Sequence, residues 1–379
     1  MKVEQFKFTG LNGWNPKLDS KIGDATQVVF VFGSTAVLKS RDYLPGLKKT
    51  FPRALIVGCS TAGEIIGTQV LDDSVVATAV HFEHTRIQMV HANIANFENS
   101  EKIGEHLTRT LPREGLVHAL VFSDGLKING SDLVRGMTQN LPNDVTVTGG
   151  LSADGEHFRE TQVLAGDAPQ SGEIVLLGFY GDRLRVGYAS LGGWDPFGPV
   201  RLITRAEGNV LYEMDGKSAL ATYKKYLGDY AKGLPATGLL FPLSLLNENG
   251  ETGVVRTILS VSEEQQSMTF AGDVPVGANA RFMKANFERL IDGAQGAARI
   301  SYEAVGNSSP DLAILISCVG RKMVLEQRVE EEVEGVRDVL GKRTALTGFY
   351  SYGEISPFTP NARCELHNQT MTITTFSEK

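Results

Sequence analysis

Three segments of the chain repeat one plan, and each closes on Gly-x-x-x-x-Gly-Glu. Residues 28–64 run VVFVFG, a polar turn, the helix-like RDYLPGLKKT, a second apolar run ALIVG, and CSTAGE. Residues 312–354 run LAILISC, a turn, the helix-like LEQRVEEEVEGVRDVL, TALTG, and FYSYGE. Between them lie HALVFSDG, the helix-like SDLVRGMTQNL, VTVTG, and GLSADGE. The three endings are Gly58 to Glu64, Gly150 to Glu156 and Gly348 to Glu354. A repeat on this scale constrains architecture more than propensity does.

In each repeat a Val/Ile/Leu-rich run precedes a segment of helical period, and a second apolar run follows. That order reads as strand, crossover helix, parallel strand. An outer strand is predicted after each loop, in SVVATAVHF, EIVLLGFYG and QTMTITTF. The first two run on into RIQMVHANI and RLRVGYASL, as hairpins would. The predicted fold class is α/β in the mixed α+β sense, with repeated strand-helix-strand units, mixed sheets and an internal duplication.

A chain of 379 residues, 42% hydrophobic, is long enough for two domains. The repeat grammar stops near Asp215, where Met-Asp-Gly supplies a turn and a helix start. We therefore expect an extension over 1–24, one domain over 25–215 and a second over 216–379. The second begins with the helix-like GKSALATYKKYLG and contains a long helical run over 278–305.

The opening MKVEQFKFTG has no apolar core of a leader, and no stretch reaches the roughly 18 apolar residues of a membrane span. Localisation is expected to be cytoplasmic, without a membrane partner. Net charge is −7 with mixed signs along the chain, so no basic stripe is present to neutralise nucleic-acid phosphates. Cys59, Cys318 and Cys364 are too widely spaced for a metal knuckle or a disulfide framework.

The Gly-Glu loops share glycine spacing with a phosphate loop but not its chemistry. A phosphate loop follows its second glycine with Lys and Ser/Thr, whereas these loops place Glu64, Glu156 and Glu354 there. Carboxylates suit an ammonium, a guanidinium or another donor. The alternative is that the glycines serve a tight turn and Glu caps the backbone beyond it. Candidate ligand contacts are Gly58, Ser60, Gly63, Glu64, Ser152, Asp154, Tyr350, Tyr352 and Glu354.

Cys318 ends an apolar strand, and Arg321 beside it would favour a thiolate, so both join the candidates. A buried, inert cysteine is the competing reading. Among seven histidines none forms a compact metal motif, and His157 and His367 are the best placed as metal ligands. An ordinary hydrogen-bonded histidine is the alternative for each. The aromatic runs Gly193–Phe197 and Leu240–Leu243 either wall a ligand cavity or pack between domains.

The segments VGCSTAGEI, TGGLSADG, GLLFPLSLL, FAGDVPVG, TGFYSYGEISP and CELHNQTMTITTFSE, in that order, resemble the FIST family (F-box and intracellular signal transduction). The resemblance implies a sensory, small-ligand-binding protein that is not an enzyme and that works with a histidine kinase or a cyclic-di-GMP enzyme. The stand-alone two-domain length resembles the nitric-oxide-sensing group NosP, which implies haem as cofactor and a partner histidine kinase. Motif positions carried over are Gly58, Gly63, Glu64, Gly150, Gly155, Gly353 and Glu354, with His367, Asn368 and Gln369 in the last block. Two alternatives stand beside the haem sensor: a sensor of a polar metabolite such as an amino acid, and a thiol enzyme using Cys318. A homodimer is compatible with all three, and output is expected to pass through another protein.

Overall fold

Each repeat begins with a strand that precedes the segment recognised in the sequence, so the structural unit is larger than the motif. The computed structural model describes residues 1–142, 144–247, 250, 252–306, 308–358 and 362–379. The first unit comprises β1 (Lys2–Thr9), β2 (Val28–Gly33), α1 (Thr35–Ser40), α2 (Leu44–Thr50), β3 (Leu55–Ser60), β4 (Glu64–Ile66) and β5 (Val75–His81). The second comprises β6 (Arg86–Asn93), α3 (Ser100–Thr110), β7 (Leu116–Ser123), α4 (Gly130–Thr138), β8 (Thr146–Leu151), β9 (Val163–Ala165) and β10 (Glu173–Tyr180). The third comprises β11 (Leu184–Leu191), α5 (Phe287–Ala304), β12 (Leu312–Cys318), α6 (Val319–Leu325), α7 (Val329–Leu340), β13 (Ala345–Ser351), β14 (Gly353–Pro357) and β15 (Met371–Glu378).

The parallel pairs predicted from the apolar runs are present as β2 with β3, β7 with β8, and β12 with β13. The outer strands β5, β10 and β15 lie antiparallel on the free sides of β2, β7 and β12. Every residue of β2 and β12 is buried, as expected of strands covered on both faces. The fold is mixed α/β with mixed sheets, as the repeat grammar predicts.

The expected hairpins do not form. β5 pairs with β1, and the strand after it, β6, pairs instead with β10; β11 likewise leaves β10 and pairs with β15. Each leading strand thus covers the outer edge of its own unit, which leaves no vacant edge for the strand that follows.

The short strands beyond the glycine loops are exchanged. β4 of the first unit adds to β13 of the third, β14 of the third to β8 of the second, and β9 of the second to β3 of the first. Three backbone bonds repeat the same circuit at the loops. They run from Ala62 N to Tyr350 O (2.9 Å), from Tyr352 N to Leu151 O (3.3 Å) and from Ala153 N to Ser60 O (2.9 Å). The three sheets therefore surround one shared core, where the rings of Phe32, Phe122 and Phe349 lie 4.8–6.0 Å apart.

The register also corrects the repeat. Gly58 faces Val31 and Gly348 faces Leu315, but in the second unit the glycine facing the equivalent Val121 is Gly149, not Gly150. The second loop is displaced by one residue, so Asp154 stands where the others have Gly63 and Gly353, and Gly155 stands where they have Glu64 and Glu354. Gly150 occupies the place of Cys59 and Phe349, and its missing side chain leaves room for Ile316 and Phe349.

The stretch with different grammar is an insertion in the third unit. Between β11 and α5 the chain forms an eight-stranded sheet with the helix Ala219–Leu227 packed on it. The turn at Asp215 and Gly216, both with positive φ, lies inside this sheet, between Val210–Met214 and the short strand Lys217–Ser218. The long helix expected over 278–305 starts only at Phe287, because Asn279–Ala285 is a strand with Ala280, Phe282 and Met283 turned inward. Asn286 accepts from Arg289 N (3.3 Å) and caps the helix start.

Candidate functional site

A cleft of about 1720 Å³ opens where the carboxyl ends of β2, β3 and β12 meet the inserted sheet. This is the end of a parallel strand pair at which α/β folds gather ligands, because loops and helix starts converge there. Ser34, Thr35 and the segment Thr61–Glu64 come from the first unit, and Asp154–His157 with Arg159 and Glu160 from the second. Val319, Lys322 and Met323 come from α6 of the third unit. The opposite wall belongs to the insertion, with Tyr230, Phe241, Lys284 and Phe287.

Of the residues expected from sequence, Gly63, Glu64, Asp154 and His157 line this cleft. Glu64 is fully buried, with its Oε1 accepting from the Thr61 hydroxyl (2.5 Å) and its Oε2 from the Ser74 hydroxyl (2.6 Å). Burial pushes its carboxyl up to about 8 against those hydrogen bonds. Glu354 repeats the arrangement with Ser351 Oγ (2.5 Å) and Thr370 Oγ1 (3.0 Å), and burial again raises it to about 8. Burial thus favours the uncharged form of both, and the hydroxyls of Thr61, Ser74, Ser351 and Thr370 occupy their oxygens, so neither presents an open carboxylate as the sequence reading expects. Glu156 differs because of the one-residue displacement, and its side chain is exposed on the rim.

Asp154 is held from three sides. Its Oδ2 accepts from Arg159 N (2.9 Å) and Glu160 N (2.8 Å), and its Oδ1 accepts from Tyr352 OH. Tyr352 also stacks on Phe158 with centroids 4.4 Å apart, so it braces the second loop from behind. The displaced loop and the residues just after it bring Glu156, Arg159 and Glu160 to the cleft.

The remaining candidates hold the scaffold. Ser60 Oγ accepts from Gln162 N (2.9 Å) and Ser152 Oγ from Gly125 N (3.1 Å). Gly58 sits at the close approach to Val31. Tyr350 OH donates to Glu332 Oε1 (2.6 Å) in the core.

The reactive-thiolate reading of Cys318 is overturned. Its thiol is fully buried, and burial followed by the nearby Glu354 pushes it far above the usual thiol range. Arg321 is spent elsewhere, on Glu332 Oε2 (2.7 Å) and on the carbonyls of Leu290 (2.6 Å) and Gly192 (3.3 Å). Gly192 and Leu290 lie where the chain leaves for the insertion and where it returns, so Arg321 ties both stems to the body.

His367 does not fit an axial haem ligand. Its Nε2 lies 2.7 Å from Ser356 O, its ring meets Phe358 at 4.1 Å, and burial lowers it to about 4. The cleft's lining does not reach it. The rest of that motif block joins the insertion to the body: Thr257 N donates to Asn368 Oδ1 (3.2 Å), and Gln369 Nε2 to Leu239 O and Thr257 Oγ1 (3.0 Å each). Trp194 Nε1 donates to Gln369 O (2.8 Å), so that aromatic run packs rather than lining the cleft. Phe241, from the other run, does line it.

His157 lines the rim among the charged Asp154, Glu156, Arg159 and Glu160, while Leu240, Phe241, Phe287, Val319 and Met323 supply apolar lining elsewhere in the same cleft. Among the described residues no group of three His, Cys, Asp or Glu side chains is placed to hold a metal ion.

The sequence reading passed over Ser34, Lys322 and, on the wall of the insertion, Tyr230, Lys284 and Phe287, while it named Phe241 among its cavity candidates. Lys322 adjoins Arg321, and consecutive residues of a helix point about 100° apart, so one reaches the cleft while the other reaches the stems. Lys322 Nζ donates to Ala62 O (2.8 Å) and to the Asp72 carboxylate.

Models of two protein-family domains match the chain in tandem, the FIST N domain over residues 27–217 and the FIST C domain over 219–357. Their seam falls inside the inserted sheet. A relative from Methanocaldococcus jannaschii, named uncharacterized protein MJ1623, is 22% identical over 300 residues, 73% of this chain. The match spans 57% of that relative's length. A solved structure of cyanuric acid hydrolase aligns with all of this chain and 99% of its own, at 8% identity and a TM-score of 0.31. A second, from A. caulinodans, aligns with 78% of this chain and 99% of its own at 9% identity and a TM-score of 0.19. At those scores neither likeness carries an argument. No helix among the described residues is long and apolar enough to cross a membrane.

Proposed function

The chain belongs to the FIST family of sensory domains in signal transduction, and on that premise we propose that it binds a small polar ligand in the cleft and reports occupancy to a partner protein. One observation carries this reading. Loops of the first two units, helix α6 of the third and one wall of the insertion meet at a single cleft, while the third unit's own Gly-Glu loop is buried in the core.

The lining supports a ligand with both hydrogen-bonding and charged groups, such as an amino acid. Lys39 is already paired with Glu160 (2.7 Å) and Lys322 with Asp72, which keeps the walls in fixed positions without saturating the rim. Binding between the body and the insertion favours whichever relative arrangement grips the ligand better, and a partner that distinguishes the arrangements reads the difference. A histidine kinase or a cyclic-di-GMP enzyme is the proposed class of partner. Catalysis has no residue set in this reading.

A thermal-shift panel of amino acids, amines and carboxylates tests the proposal. A ligand at a hundred times its Kd stabilises by about 2.7 kcal/mol, which is readily seen. Ala36→Trp, at an exposed position in the lining, fills the cleft without disturbing the core. If no compound raises Tm, or if the effective one acts equally on Ala36→Trp, the cleft is not the sensing site. A haem-dependent nitric oxide sensor is the second reading, supported only by His157 on the rim. A Soret band that appears on adding haem and is lost in His157→Ala would favour it.

A further inference from the structure

The floor of the cleft differs from its rim. Ser34 stands at the N-cap of α1, yet its hydroxyl makes no capping bond. Its Oγ is one of few buried side-chain polar atoms without a partner among the described residues. Lys322 approaches the same floor from α6. An ammonium has three donors, and only two are used, on Ala62 O and on Asp72.

The two residues flank one short segment from opposite sides. Thr61 N donates to Gly33 O (3.1 Å), which places Ser34 beside Thr61, while Lys322 Nζ lies on the carbonyl of Ala62. Gly63 suits this segment by its φ of +140°, and a β-carbon there would stand 2.6 Å from Lys322 Nζ, which marks how closely the lysine approaches. Of the carboxyls beside this segment, Glu64 has both oxygens occupied by Thr61 and Ser74, and Asp72 is paired with Lys322 itself. The floor therefore offers a hydroxyl and an ammonium donor beside a Glu64 whose oxygens are both engaged.

We propose that Ser34 and Lys322 form an oxyanion subsite on the cleft floor and receive the carboxylate of the sensed molecule. The assignment rests on the cleft being the ligand site, and it adds which end of the ligand enters first. The exposed rim residues Glu156 and Arg159 and the aromatic wall of Tyr230 and Phe287 then meet the rest of the molecule.

Isothermal titration with three- to five-carbon carboxylates, their uncharged amides and the matching alkylamines tests this. At least one carboxylate is expected to bind, its amide at least tenfold more weakly. Ser34→Ala should weaken the carboxylate about tenfold while leaving the ligand-free Tm unchanged, since no bond in the protein is lost. Lys322→Met should abolish binding, and Lys322→Arg should restore part of it. An amide as tight as its acid, or Ser34→Ala binding like the parent, overturns the subsite. Amines that bind in the parent but not in Ala36→Trp, with no carboxylate binding, overturn it and leave the cleft reading standing. If no compound of any class binds, both fall.

Discussion

Gly149 and Val121 meet across the parallel strands of the second unit so closely that a β-carbon on the glycine would lie 1.9 Å from the Val121 carbonyl oxygen. Gly58 stands at 1.7 Å from Val31 O and Gly348 at 1.8 Å from Leu315 O in the same sense. The contact is with backbone, which cannot move aside as a side chain would.

Alanine at Gly58, Gly149 or Gly348 is therefore expected to cost at least about 3 kcal/mol, the upper part of the range for overpacking. Gly155→Ala, where the added carbon meets nothing closer than 3.9 Å, should cost only about 1 kcal/mol for its φ of +74°. Urea unfolding of the four variants checks the displaced register directly. Equal costs at Gly149 and Gly155 would contradict it.

The buried glutamates make stability fall with alkalinity. Glu64 and Glu354 are raised to about 8 in the folded protein against 4.5 for a free group, so the native state binds more protons across that window. Their stabilising contribution is complete below about pH 4.5 and is lost as pH rises through 8. His367, lowered to about 4, acts in the opposite sense and weakens the fold as pH falls from 6.5. The urea midpoint should decline from pH 6.5 to about 8 and level off above it, and Glu64→Gln with Glu354→Gln should flatten that decline.

Arg321→Met leaves the Glu332 carboxylate buried without its cation, and the cost should be about 3–5 kcal/mol. Because Arg321 also holds Gly192 and Leu290, proteolysis should concentrate near the stems of the insertion in this variant. Adding Glu332→Leu should recover much of the stability but not the stem protection. Recovery of both would mean that Arg321 does not tie the stems.

Thiol labelling at neutral pH should leave Cys59 and Cys318 unmodified until the chain unfolds. Both thiols are fully buried, and burial raises each well above its usual value. Rapid modification of Cys318 in the folded protein would reopen the thiol chemistry that its surroundings oppose.

The parallel strand pairs were legible because runs such as VVFVFG and LAILISC have no polar alternation, and only strands covered on both faces read that way. The leading strands β6 and β11 were visible as strands but not as partners, since pairing depends on which edge is free. Gly150 shows a second limit. Its spacing to Gly155 matched the other loops, yet side-chain room for Phe349 explains that glycine and backbone approach explains its neighbour. Ser34 and Lys322 each sat in a turn after an apolar run and carried no signal of their own. Both acquire meaning only from segments hundreds of residues away.

The exchange of short strands around the three units sets the order in which the chain can mature on the ribosome. The second sheet starts with β6 near residue 86 but lacks its edge until β14 is made at Gly353, and the third waits for β12 to β15. For most of synthesis β8 exposes an unpaired edge and β4 has no sheet to join, a state that invites association with other chains. Nascent copies of this protein should depend on holding factors until β12 to β15 have emerged, although the finished ring leaves none of those three edges open.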